Sequence, residues 1–366
     1  MKITRFVVTG GPCAGKTTAM SWIQNHYEAK GYRVLFVPET ATELIGGGVS
    51  PWTCGTNVEY QVCQCRLQLF KEQIFEEAAR TMDAENILII CDRGFMDNRA
   101  YMNDEEFEEV LSRLGVSEVE MRDHYDAVFH LVTTAKGAES VYTTANNAAR
   151  YESVEEAVRV DEKLLSAWTG HPHLRVIDNA TDFIGKLKRL IAEMDAFLGE
   201  PVPFEIERKF LIEYPDLNWM ENNPKCRKVE IRQTYLKSLD GEHRRVRRRG
   251  DKGHYVYFET IKRPVSGIKR LEVERRLTKS EYRNLLKDAD PECVPIEKDR
   301  YCLTYKNQYF EIDVYPFWKD KAICEIELHD ENEPVYFPEE LTIIREVTGE
   351  PEYKNSALAR RKPDAE

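Results

Sequence analysis

At Gly199-Glu200-Pro201-Val202-Pro203 the chain changes its hydrophobic period, and that change constrains the fold more than any other feature. Before it, short apolar runs (Ile3 to Thr9, Val34 to Val37, Ile87 to Cys91, Ala127 to Val132, Leu174 to Ile177) alternate with stretches of helical spacing. Those stretches run from Lys16 to Lys30, Asn57 to Met82, Val154 to Trp168 and Asp182 to Leu198. Such alternation specifies a parallel sheet with helices on both faces. Beyond Pro203, charged and apolar residues alternate singly, as in Glu205-Ile206-Glu207-Arg208-Lys209-Phe210, which specifies strands with one charged and one apolar face. A glycine and two prolines in so short a stretch can continue neither a helix nor a central strand. The expectation is an α/β domain over residues 1–198, a linker at 199–203 and an antiparallel α+β domain over 204–362.

A chain of 366 residues with 42% hydrophobic content can bury two ordinary cores. Its formal net charge of -12 would repel phosphate-rich polymers at long range, which argues against a nucleic-acid partner and makes any anion site local. Nine cysteines, an odd number in no framework spacing, and no signal-peptide pattern point to reduced thiols and a cytoplasmic location. No apolar run approaches the roughly 20 residues of a membrane span, so no transmembrane segment is expected.

Between the first strand and the first helix lies Gly10-Gly11-Pro12-Cys13-Ala14-Gly15-Lys16-Thr17, followed by Thr18. This fits G-x-x-x-x-G-K-T in the strand-loop-helix context that a phosphate-binding P-loop requires. Glycines let backbone N–H groups curl around phosphate oxygens at a helix N-terminus, Lys16 reaches the outer phosphates, and the Thr17 hydroxyl suits magnesium.

Three further groups fall on the same sheet edge, where ligands of open α/β sheets bind. Asp92 and Arg93 follow the strand Ile87 to Cys91, as candidates for holding a magnesium-bound water or base and for neutralising phosphate charge. Glu39 follows the second strand as an acceptor candidate, with a simple loop carboxylate as the alternative. Arg150 and Arg159, before and within a helix, are candidates for a lid over a triphosphate; solvated helix charges explain them nearly as well. The Asn-Lys-x-Asp run that selects guanine in Ras-like proteins is absent, leaving ATP or GTP open and the domain kinase-like.

In the second half, alternation groups Glu205, Glu207 and Lys209; Arg245, Arg247 and Arg249; Glu272 and Glu274; Lys298 and Arg300; Glu311 and Asp313; and Glu325 and Glu327. Apolar Ile206, Phe210, Leu271, Val273, Ile312, Val314, Ile326 and Leu328 occupy the other face. If the sheet closes with charges inward it encloses a polar tunnel, in which a metal triphosphate satisfies acids and bases together. An ordinary sandwich with a salt-bridged, solvated face is the competing reading.

Glu205-Ile206-Glu207-Arg208-Lys209 resembles the E-x-E-x-K opening of CYTH domains, the triphosphate tunnel enzymes. Arg245-Val246-Arg247, Thr260-Ile261-Lys262, Glu311-Ile312-Asp313, Glu325-Ile326-Glu327 and Asn355-Ser356-Ala357-Leu358-Ala359 follow in family order. The resemblance implies a CYTH antiparallel β-barrel with metal ligation, by magnesium or manganese, through Glu205, Glu207, Glu325 and Glu327. It further implies support from Glu272, Glu274, Glu311 and Asp313, and phosphate contacts from Lys209, Arg245, Arg247, Lys262, Lys298 and Arg300. The first half resembles the P-loop domain of NadR-type ribosylnicotinamide kinases, and its fusion to a CYTH domain resembles the TRPL translocation defect family. From residues and resemblance together, the expectation is a magnesium-dependent protein that binds ATP or GTP, with phosphotransfer or hydrolysis in the P-loop domain. The CYTH domain would bind or hydrolyse a triphosphate or phosphorylated ligand. The alternative is a non-catalytic, nucleotide-regulated trafficking factor whose ligand is an anionic phospholipid.

Overall fold

The computed structural model describes residues 1–137, 153–199, 206–238, 243–266, 269–328 and 332–360, with the backbone alone at 206, 262–266 and 269–273. The chain divides into two compact units, Met1–Met194 and Asp195–Glu366.

In the first unit the strands are β1 (Lys2–Gly10), β2 (Arg33–Val37), β3 (Asn86–Asp92), β4 (Ala127–Leu131) and β5 (Leu174–Ile177). They form a five-stranded sheet in the order β2-β3-β1-β4-β5, and every pair is parallel. The inner strands read as continuous apolar runs because both faces are covered: Phe6, Val7, Val8, Leu88, Ile89, Ile90, Val128 and Phe129 are fully buried. The helices of this unit begin with α1 (Lys16–Ala29), α2 (Thr40–Gly46), α3 (Asn57–Ala79), α4 (Asp104–Leu114) and α5 (Glu118–Arg122). They are followed by α6 (Val154–Trp168) and α7 (Phe183–Leu198). The strands and long helices lie where the periodicity puts them. The spacing does not announce α2, α4 and α5; α4 is an acidic stretch whose helical signal is a capping box, Asn103 with Glu106, above buried Phe107, Val110 and Leu111.

The second unit holds β6 (Ile206–Glu213), β7 (Cys226–Leu236), β8 (His243–Asp251), β9 (His254–Ser266), β10 (Lys269–Leu277), β11 (Ile296–Tyr305), β12 (Gln308–Val314), β13 (Lys321–Leu328) and β14 (Ile343–Glu346). These form a nine-stranded sheet in the order β10-β9-β8-β7-β11-β12-β13-β6-β14, and every pair is antiparallel. Three helices accompany it: α8 (Leu217–Asn222), α9 (Lys279–Leu285) and α10 (Asn355–Arg360). The face carrying Phe210, Phe310, Ile312, Val314, Ile326 and Leu328 packs under Leu217, Trp219 and Met220 of α8 into one apolar core. The side chains of Ile206, Leu271 and Val273, expected on this face, lie outside the described residues.

The opposite face is charged only in its middle. Leu211, Ile296 and Ile323 share alternation with Lys209, Lys298 and Glu325, and pack with Tyr315, Trp318 and Leu358 and Ala359 of α10 into an apolar cluster at one end. Val229, Ile231 and Cys302 form another such cluster on the same face. Apolar neighbours on both sides explain why Lys298, Arg300, Asp313 and Glu325 are all buried.

Candidate functional sites

The P-loop of the first unit is shaped by backbone conformations that its glycines make accessible. Gly10 has φ +142 and a Cβ there would lie 2.0 Å from the carbonyl oxygen of Leu131, so a side chain would push the loop off β4. Gly15 is left-handed and α1 starts behind it with no side-chain cap, leaving its first amides open to an anion. Cys13 also has positive φ, Ala14 is buried, and Thr17 and Thr18 are exposed at the helix start.

Sequence reading missed the group that clamps this loop. Asp161, buried on α6, accepts from the backbone N–H of Gly11 at 2.8 Å and of Thr133 at 3.1 Å, and lies 3.1 Å from His130 Nε2. Despite burial, His130 and these donors hold its carboxyl below the usual range. Thr133 Oγ1 donates to the carbonyl of Pro12 at 2.5 Å, and Thr134 Oγ1 to that of Cys13 at 3.2 Å. The signal was available only as an Asp in a helical pattern of apolar neighbours.

Lys16, Glu39, Asp92 and Arg93 meet at the same edge. Burial, with help from Arg93, pushes the Lys16 ammonium down to about 8, while Asp92 and Glu39 oppose that shift. Burial raises the Asp92 carboxyl, with Lys16 opposing and Glu39 reinforcing the rise, and its buried Oδ1 has no hydrogen-bond partner. A buried, unpartnered carboxylate oxygen beside a P-loop Lys and Thr fits a hydrated divalent cation. Arg93 is engaged by carboxylates: its Nε donates to Glu39 Oε1 at 2.5 Å, and Nη1 lies 3.4 Å from Asp97 Oδ1. Glu39 also accepts from Thr42 Oγ1 at 2.7 Å, and against the cost of burial Arg93 and Lys16 keep it ionised. Asp97, a further residue the sequence did not single out, accepts from the Gly94 N–H at 2.7 Å and from Trp168 Nε1 at 3.2 Å. Arg150 lies outside the described residues; Arg159 is exposed on α6, lining a separate cleft. His171 is held by backbone groups: its Nε2 lies 3.0 Å from the Tyr125 carbonyl and its Nδ1 accepts from the His173 N–H.

In the second unit, cross-strand register assembles the charges. Arg300 faces Asp313, Glu311 faces Glu325, Glu325 faces Lys209, and Glu327 faces Glu207. Arg300 donates through Nε and Nη2 to Asp313, each at 2.7 Å, through Nη2 to Glu325 at 3.0 Å, and to Glu311. Lys298 bonds to the same Asp313. Although burial opposes it, Arg300 and Lys298 hold Asp313 down at about 2. Lys209 Nζ lies 2.5 Å from Glu325 Oε1. Lys298, Arg300, Glu311, Asp313 and Glu325 are thus mutually paired.

Two places on this face are electrostatically unbalanced. Arg247 gives Nη2 to Glu274 at 3.0 and 3.2 Å, but its buried Nε has no hydrogen-bond partner. Burial lowers its pKa; Glu274 opposes, while Arg245, Arg249 and Arg300 add to the lowering, so these cations crowd one another. Glu207 shows the inverse: burial and then neighbouring Glu325 raise its carboxyl, and Glu327 is its direct cross-strand partner. A like-charged pair and an arginine cluster, both acted on by Arg300, fit a cation and an anion held on one face. Among the described residues no group of three or more acids converges at metal-binding distance. Glu205, the expected fourth ligand, lies outside them, as do the side chains of Lys262 and Glu272; in register, Lys262 pairs with Glu272 and His243.

A parallel sheet with a P-loop, followed by an antiparallel sheet with interleaved acids and arginines on one face, defines a P-loop protein with a second, triphosphate-tunnel type domain. Residues 5–184 match the model of the AAA domain, and residues 203–361 that of the CYTH domain. The chain is 34% identical over 160 residues to an inorganic triphosphatase of Acetivibrio thermocellus, covering 43% of this chain and 93% of that protein. The chain belongs to the CYTH family. Among solved structures, the inorganic triphosphatase NE1496 is 28% identical, with a TM-score of 0.32 over 44% of this chain and 98% of that one. The PH1012 protein from Pyrococcus horikoshii OT3 is 18% identical, with a TM-score of 0.26 over 35% and 80%. No helix among the described residues is long and apolar enough to cross a membrane.

Proposed function

We propose that the chain is a divalent-metal-dependent phosphohydrolase that cleaves an inorganic triphosphate in its CYTH domain and binds ATP or GTP in a kinase-like P-loop domain. The observation that carries the reading is that Arg247, crowded by Arg245 and Arg249, and the like-charged acids around Glu207 share one neighbour, Arg300, which acts on both. Crowded cations need phosphate and crowded acids need a metal, and a metal triphosphate supplies both. The name of the Acetivibrio thermocellus relative supports the same chemistry.

In the second domain, Arg245, Arg247 and Lys209 would neutralise phosphate oxygens, and Glu207 and Glu327, with Glu205 as the family resemblance implies, would hold the cation. Bound magnesium or manganese would supply Lewis acidity and an activated water. In the first domain, Lys16 would contact the outer phosphates while Thr17 and Asp92 accommodate hydrated magnesium. Arg93, tethered by Glu39 and Asp97, fits a positioning role for Asp92 and the following turn. The AAA-plus-CYTH order also supports a place near the translocation defect family.

Phosphate release is measured from tripolyphosphate, ATP and GTP, with and without magnesium, on wild type, Arg247→Ala and Lys16→Ala. The reading expects magnesium-dependent release from tripolyphosphate that Arg247→Ala reduces at least tenfold and Lys16→Ala leaves intact. No release above background from any substrate, with the ligands still bound, would refute hydrolysis and favour a binding module, whose phospholipid form is read by anionic vesicle co-sedimentation.

A further inference from the structure

A cleft of about 530 Å³ opens in the first unit between α6 and the segment joining the 3₁₀ turn Phe95–Tyr101 to α4. Its walls present Tyr101, Asn103, Glu106, Glu156, Arg159 and Lys163. Two acids and two bases make the lining formally neutral, and both acids are held in place by neutral N–H donors. Glu106 Oε2 accepts from the Asn103 N–H at 2.9 Å and Oε1 from Asn57 Nδ2 at 3.3 Å, closing the cap of α4. Glu156 Oε2 accepts from the Ser153 N–H at 2.8 Å, closing the cap of α6. Arg159 and Lys163, one helical turn apart, have no ion-pair partner among the described residues. Arg159 and Lys163 are therefore the charges in the lining that stand available to an anionic group of a ligand. Tyr101 stands beside it with 48% of its surface exposed, although it is an aromatic residue at the end of an otherwise buried turn.

We propose that this cleft binds a small phosphate monoester bearing a planar ring. Arg159 offers a forked donor set and Lys163 a compact charge, the pair suited to a terminal phosphate, and Tyr101 offers a face on which a ring stacks. The site is placed to communicate with the P-loop. Its α6 wall carries Asp161, which holds the Gly11 N–H, between the two cations in sequence, and its other wall ends the 3₁₀ turn that follows Asp92-Arg93-Gly94. A ligand here is thus a second occupant beside the nucleotide.

The full chain is titrated calorimetrically with 5′-AMP and 5′-UMP and with adenosine and uridine, in the presence of magnesium and a saturating non-hydrolysable ATP analogue. The proposal expects at least one monophosphate to bind, its nucleoside at least tenfold more weakly, and Arg159→Glu/Lys163→Glu to weaken the monophosphate at least tenfold. Tyr101→Ala should weaken it several-fold and Tyr101→Phe should not. All three positions are exposed, and an unchanged melting curve with unchanged analogue affinity verifies the fold of each variant. Absence of monophosphate binding, equal binding of nucleoside, or indifference to the double charge reversal overturns the proposal. Failure of the analogue itself to bind would instead refute the nucleotide reading of the P-loop, and the monophosphate titration without analogue on Lys16→Ala would still decide the cleft.

Discussion

The depressed pKa of Lys16 makes nucleotide binding pH-dependent in a range where an ordinary lysine would be silent. A free lysine titrates far above neutrality, but burial and Arg93 bring this one to about 8. The unliganded site then has about ten-elevenths of its Lys16 charged at pH 7 and about one-eleventh at pH 9. If the phosphates require the ammonium, the apparent affinity for a magnesium nucleotide falls about tenfold across that interval, about 1.4 kcal/mol. The sign follows from linkage: the polyanion restores the lysine's pKa, so binding at pH 9 takes up nearly one proton.

Calorimetry at pH 7, 8 and 9, in buffers of contrasting ionisation enthalpy, reads both the affinity and the proton uptake. Lys16→Arg serves as the reference, because guanidinium does not titrate here and ionisation of the nucleotide or of Asp92 affects both proteins alike. Wild-type affinity that stays within twofold from pH 7 to 9 would refute the reasoning. So would an equal slope in Lys16→Arg, since the titrating group would then lie elsewhere.

Two other substitutions test the supports beneath the sites. Asp313→Ala leaves Arg300 and Lys298 buried without their shared counter-ion, and should cost the CYTH unit about 3–5 kcal/mol in chemical denaturation. Because Asp313 is held down at about 2 from an ordinary 3.8, its contribution is present above 3.8 and disappears as pH falls toward 2, so wild type and variant should converge there. Asp161→Ala removes the acceptor of Gly11 and Thr133 and should weaken magnesium-nucleotide binding at least tenfold, measured by the same calorimetry; Asp161→Asn, which keeps an oxygen, should retain part of it.

What the sequence made legible was whatever depends on local pattern. The P-loop announces itself because its glycines, lysine and threonine are consecutive, and the strands of both units because burial imposes period and composition. The clamp on that loop was not legible: Asp161 and Gly11 are separated by 150 positions and meet only through the fold. Alternation correctly groups Lys298 with Arg300 and Glu311 with Asp313, but it cannot say which charges neutralise one another. That depends on register, and Arg300 facing Asp313, within reach of Glu311 and Glu325 on either side, turns candidate phosphate and metal groups into partners of each other. The apolar clusters at the ends of the charged face escaped notice for the same reason. Leu211, Ile296 and Ile323 each read as an ordinary strand residue until three strands and α10 bring them together.

Register also bears on what the CYTH domain can bind. Arg247 is paired with Glu274, and Arg300 with Asp313, Glu311 and Glu325, so a bare polyphosphate gains contact with these cations only by approaching their acids as well. A metal complex changes that balance. Its cation meets the acids whose mutual repulsion raises Glu207, while its phosphates meet the arginines whose mutual repulsion lowers Arg247, and both strains are relieved together. On the proposed function, then, a metal-bound polyphosphate is a better partner for this face than either component alone, in a chain whose overall charge of -12 offers no long-range attraction to an anion. The magnesium-free arm of the phosphate-release assay reads this directly: tripolyphosphate cleaved equally well without divalent metal would mean that the acids serve only to pair with Lys209 and Arg300, as they do in the unliganded chain.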